Sequence, residues 1–170
     1  MGNLSQDTKV FIFLIFVSVL HMAYYYPQMP ESLASHFDIA GKAENWTGKD
    51  VFFLTYAGVV ALMALLFLGS RFIMEKLPEA LINLPNKTYW LAPERKAETY
   101  SYLSTQLTWF GCASVLFIIG CMHLAIRSNL TGENTIAPGI WLLTTAYLIF
   151  TLFWIVRFVR RFMKKEPERM

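Results

Sequence analysis

The chain has 170 residues, of which 55% are hydrophobic, 16% aromatic and 16% charged, with a formal net charge of +3. A soluble domain carries about 25% charged residues, so this chain has too few to cover a water-facing surface. Its mean hydropathy of +0.41 and its clustered apolar runs exclude a soluble enzyme, a disordered chain and a secreted disulfide scaffold. The cations sit beside the apolar runs, which points to lipid rather than nucleic acid.

A bilayer core takes roughly 20 apolar residues as helix, because lipid offers no partner to an unpaired backbone group. Four stretches qualify, at about 10–26, 51–73, 105–126 and 139–156, and none holds Asp, Glu, Lys or Arg away from its ends. The predicted fold is an all-α integral membrane protein, a single membrane domain over 1–170. Four transmembrane helices form a bundle, with an outer loop at 27–50, a cytoplasmic segment at 74–104 and a basic tail at 157–170. A secretory signal peptide is the rival reading of the first run. That run ends His21-Met22-Ala23-Tyr24-Tyr25-Tyr26 with no small-residue cleavage pattern. It therefore reads as an uncleaved span whose tyrosines sit in the interfacial belt.

Twelve Lys and Arg residues lie in the amino-terminal tail, the 71–104 connection and the carboxy-terminal end, against three in the other two loops. The positive-inside rule then puts both termini in the cytoplasm. Pro93 followed by Glu94 is a good helix start, because proline lacks only an N–H that would be unpaired there. A helix from Pro93 to Arg127 is roughly 50 Å long, so its first turns should stand clear of the membrane. Pro138 opens the fourth helix in the same way. The last turns carry Arg157, Arg160, Arg161, Lys164 and Lys165; this run reads as a membrane anchor, the alternative being lipid recognition.

Helices in lipid associate through small residues and shared hydrogen bonds. Ala57, Ala61 and Ala64 form one such stripe with Gly58 alongside, and Gly111, Ser114, Ile118, Cys121 and Ala125 another. The two are expected to pack against each other. Thr144, Tyr147 and Thr151 make a polar seam on the fourth span, and Ser18, His21 and Tyr25 one on the first. Both read as packing features whose hydroxyls bond their own helix carbonyls. Cys112 and Cys121 lack metal or redox spacing and read as buried small residues.

The outer loop holds the candidate contact residues His36, Phe37, Asp38, Trp46 and Lys49. Pro27 and Pro30 stiffen its start and Gly41 permits a reversal. The expected result is one ordered cap over the first two helices, with Phe37 and Trp46 buried, His36 and Asp38 bonded to loop backbone, and Lys49 at an exposed edge. His36, Asp38 and Glu44 are metal-ligand types, but their spacing puts no set of ligands on one face, so neither metal nor cofactor is expected. In the cytoplasmic segment Tyr89 and Trp90 read as interfacial anchors. Glu94, Arg95, Lys96 and Glu98 read as a solvated face with local ion pairs, the alternative being a protein partner docked over 75–104. No hydrolase, zinc-protease or phosphate-loop motif occurs, and no span has a buried charge or an internal proline of the transporter kind, so no enzyme activity is expected.

The order Pro27, Pro30, His36, Phe37, Asp38, Gly41, Glu44, Trp46, Lys49 resembles the first outer loop of a bacterial inner-membrane family of unknown function. That family is related to the immunity protein for the sporulation-delaying toxin (SdpI-like). The stretch from Asn83 to Arg95 is similar to a cytoplasmic connection in the same family, and the resemblance covers about residues 10–127. Asp38 stands where the pattern usually has Asn, Glu44 where it usually has Asp, and the further spans of the immunity protein are not in this sequence. The resemblance implies a non-enzymatic protein of the bacterial inner membrane that senses, or protects against, an extracytoplasmic agent. The alternative is a structural accessory subunit or assembly scaffold of a larger membrane complex.

Overall fold

In lipid each backbone polar group must be paired within the protein, and the four apolar runs achieve this as helices. The computed structural model describes residues 4–163. Helix α1 spans Gln6–Tyr25, α2 Lys49–Lys76, α4 Pro93–Thr131 and α5 Gly139–Met163, with a one-turn helix α3 at Lys87–Trp90. Each of the four long helices is long and apolar enough to cross a membrane. Pro93 starts α4 as expected, and Gly132 ends it in the left-handed conformation with φ +71°. Lys164, Lys165 and Arg169, part of the predicted basic tail, lie outside the described residues.

The fold is not all-α. Ser32–Phe37 (β1) and Ala43–Gly48 (β2) form an antiparallel hairpin in the α1–α2 loop. Ala34 faces Trp46 and Phe37 faces Ala43, with irregular register on both sides of His36. Two prolines and a Gly-containing turn hid these short strands, because neither strand shows a clean apolar–polar alternation.

Helix α4 is the hub and packs against α1, α2 and α5. The core falls into three levels. In the middle, Phe11 and Leu14 of α1 meet Cys112 and Val115 of α4, with Met63, Ala64 and Phe67 of α2 against them. At the hairpin end, Met29 and Leu33 cover Phe52, Phe53, Ala125 and Ile126. At the opposite end, Ile82, Leu84, Trp90 and Leu91 of the α2–α4 connection close over Tyr100, Leu103 and Phe162.

The two small-residue stripes do not pair as expected. Ala61 is exposed, Ala57 and Ala64 are half-buried, and a side chain at Gly58 would meet open space. Among the described residues of α2, Phe52, Phe53, Tyr56, Val60 and Ser70 are the buried ones. Gly111 does mark a close approach, but to large rings: a Cβ there would lie 2.5 Å from Phe67 and 2.8 Å from Phe11. Gly120 likewise accommodates Leu143, where a Cβ would come within 2.8 Å. Cys121 is half-buried, and both described cysteines are free. Ser114 is buried and shares a 2.7 Å hydrogen bond with Tyr147 Oη, so it joins α4 to α5 rather than to α2. Tyr147 also stacks on Phe117 at 4.4 Å. The hydroxyls of Ser18, Ser104, Thr108 and Ser114 donate to their own helix carbonyls, as expected for such residues in an apolar span.

Candidate functional site

The hairpin is fastened to the bundle from two sides. The Asn129 side chain of α4 accepts from Ala34 N–H at 2.7 Å and donates to Ala34 C=O at 3.0 Å, acting as one rung of a missing neighbouring strand. Its Nδ2 also donates to Ala125 C=O of its own helix at 2.8 Å. On the other side the α4–α5 loop pairs with the hairpin turn. Ala43 N–H donates to Asn134 C=O at 2.8 Å, and Ile136 N–H and Thr135 Oγ1 both donate to Gly41 C=O, at 2.9 and 3.0 Å. Gly41 is required twice over. Its φ is +78°, and a Cβ there would lie 2.8 Å from Ala137 Cβ.

The five candidate residues fall into different roles. Asp38 builds the turn: its Oδ1 accepts from Lys42 N–H at 2.8 Å and its C=O from Gly41 N–H at 2.9 Å. Phe37 is half-buried against the cluster under the hairpin. Lys49, the first residue of α2, is tied to Glu31 at 2.8 Å and lies 5.1 Å from the Tyr26 ring centroid, with its side chain only 16% exposed. It is a clamp at the hairpin base rather than an open edge. His36 projects from β1, exposed, with Nδ1 3.3 Å from Ser35 Oγ rather than on loop backbone. Trp46 was expected to bury against the helix ends and is 55% exposed. Met29 and Leu33 fill that place instead, because the strand register turns Leu33 inward. The five residues therefore do not form one cap: Phe37, Asp38 and Lys49 build the hairpin, whereas His36 and Trp46 are displayed by it. At the tip Ile39 is 85% exposed. Glu44 is also exposed, and among the described residues no three His, Cys, Asp or Glu side chains gather as a metal site.

Close to the hairpin end of the helices, inside the spans, lies a histidine pair, one member of which, His21, belongs to the polar seam expected to serve packing. His21 Nε2 of α1 is 3.4 Å from His123 Nδ1 of α4, so one ring donates and the other accepts. Tyr25 and Tyr56 set their edges against His21, with ring centroids at 4.9 and 5.9 Å. His21 Nδ1 is buried and meets no hydrogen-bond partner among the described residues. Ionisable groups inside a span are costly and mark function by default. Both histidines were visible in the sequence; their pairing depends on the relative rotation of α1 and α4, which the sequence does not display.

The connection end is equally ordered. Trp90 is buried, not an interfacial anchor, and its Nε1–H donates to Phe162 C=O at 2.9 Å. Asn86 Nδ2 donates to the same carbonyl and to that of Met163, closing the end of α5. Arg95 lies 3.9 Å over the Tyr89 ring and donates to Tyr89 C=O. Lys96 pairs with Glu79, 2.6 Å away, which belongs to the α2–α4 connection rather than to its own helix face. That ammonium holds the Glu79 carboxyl below its ordinary value of 4.5.

Four apolar helices, a pinned hairpin at one end and a folded connection at the other define a multi-pass helical membrane protein. The family described as a domain of unknown function (DUF1648) matches residues 13–67, which run from α1 through the hairpin into α2. No curated protein and no solved structure matches the chain.

Proposed function

We propose that the chain is a non-enzymatic protein of a bacterial inner membrane that senses, or protects against, an extracytoplasmic agent, as the SdpI-like resemblance implies. Both termini face the cytoplasm, and the hairpin is the receptor surface outside. One observation supports this reading: the hairpin is held by hydrogen bonds from Asn129 and from residues 134–136 while His36 and Trp46 stay exposed. A surface fixed before binding loses less entropy when it meets a ligand. The DUF1648 match, over residues 13–67, includes the hairpin and parts of both helices that flank it.

Reporter fusions after residues 45, 85 and 133 test the orientation and should read outside, inside, outside. Deletion should sensitise the cell to an added peptide agent, and His36→Ala or Trp46→Ala should reproduce that sensitivity with the protein still made and folded. Unchanged resistance in both variants would refute the receptor role. The accessory-subunit reading draws on α5, where Phe162 is the only buried residue among those described, leaving a long apolar face open to lipid or to a partner. Stoichiometric co-purification with one membrane complex in mild detergent would favour it.

A further inference from the structure

We propose that the groove between the end of α5 and Tyr102 of α4 binds the headgroup of an anionic phospholipid. Arg157, Arg160 and Arg161 follow the helical i, i+3, i+4 spacing and line one cavity of about 750 Å³ together with Tyr102, Phe153 and Val156. Three like charges on one face repel one another, and among the described residues no carboxylate pairs with any of them. Arg161 is held instead by neutral rings, with its guanidinium 5.5 Å from the Trp90 centroid and 5.4 Å from that of Tyr102. Its charge is positioned without a close ion pair among the described residues; Glu98 lines the adjoining cavity, and Arg95 lies there with it. Guanidinium groups match phosphate oxygens with two parallel N–H donors, so this cluster suits a phosphodiester.

The end of a helix normally repels an anion through its free carbonyls. Here the Phe162 carbonyl is occupied by Trp90 and Asn86, and that of Met163 by Asn86, so two carbonyls near the end of α5 are already engaged. The other wall decides between a lipid and a free phosphate. Phe153 is 65% exposed and Val156 42%, and they continue into the apolar face of Ile149 and Leu152. A soluble anion uses only the arginines, whereas a phospholipid also lays an acyl chain along this strip. The groove lies at the end of a span, where headgroups are. The inference does not depend on what the hairpin binds.

The test uses the full chain, purified in neutral detergent and placed in nanodiscs of phosphatidylcholine with or without phosphatidylglycerol. Retained lipid is counted by native mass spectrometry and stability is read by thermal unfolding. Phosphatidylglycerol should stay bound through washing and raise the melting temperature, while phosphatidylcholine and inorganic phosphate should do neither. Arg157→Gln with Arg160→Gln should weaken retention about tenfold or more, the equivalent of losing one charge-assisted hydrogen bond. Lys9→Gln with Lys76→Gln removes the same charge from the same end of the bundle and should retain the lipid. If the double arginine variant does not fold, Arg160→Gln alone carries the test. Equal loss in both double variants would reduce the effect to general surface charge, and equal stabilisation by inorganic phosphate would reduce it to an anion site; either result overturns the proposal.

Discussion

The two ends of the bundle are both covered, but by different kinds of bond. At the hairpin end, beside the packing of Met29 and Leu33, the cover is attached through backbone groups: Ala34 to Asn129, Ala43 to Asn134, and Gly41 to Thr135 and Ile136. At the connection end it is attached through aromatic side chains. Trp90, Tyr102 and Phe158 each meet the Phe162 ring, edge-on or tilted, and Trp90 and Asn86 bond the last described carbonyls of α5. Backbone pairing fixes position while leaving side chains free to face outward. Ring packing consumes the side chains and yields a closed end. The hairpin end is thus built to display residues, and the connection end to join α2, α4 and α5.

This contrast implies a ranking of mutational cost. Trp90→Ala should be the most damaging change, at about 3–5 kcal/mol, because it empties a buried aromatic site. Chemical or thermal unfolding in detergent measures it, and α5 should loosen from the bundle first. Asn129→Ala should cost about 1–3 kcal/mol by leaving the N–H and C=O of a fully buried Ala34 without their partner. Its effect should stay at the hairpin end. Trp46→Ala should cost about 0.5 kcal/mol or less, as an exposed side chain does. A cost near that of Trp90→Ala would mean that Trp46 is buried, and that the hairpin is closed over the bundle rather than displayed.

The smallest effect belongs to the Lys96–Glu79 pair, which is open to solvent. Its sign is fixed: the folded carboxyl has the lower value, so the contribution is complete above the ordinary 4.5 and is lost as pH falls through the lowered value. Carboxyl NMR should find Glu79 titrating below 4.5 in the native chain and closer to it in Lys96→Gln.

The spans were legible because a long apolar run in lipid has few alternatives. The expected 10–26, 51–73 and 139–156 lie largely within Gln6–Tyr25, Lys49–Lys76 and Gly139–Met163. Pro93 marked the start of α4 because its chemistry there is local. The hairpin was legible only as an ordered loop with a turn at Gly41. Its strands are held by Asn129 and Asn134, some ninety residues further along the chain, and no local pattern announces such partners. Trp46 misled for the same reason, since burial of a loop aromatic depends on register. The alanines of α2 misled differently: small residues permit close approach, but Gly111 admits the rings of Phe11 and Phe67 instead.

Backbone amide exchange, followed residue by residue in detergent micelles, tests most directly whether the hairpin is pinned. Ala34, Ala43 and Ile136 amides should be strongly protected in the native chain, and Asn129→Ala should release Ala34 while the amides around Trp90 keep their protection. Rapid exchange at Ala34 and Ala43 in the native chain would contradict a preformed display surface.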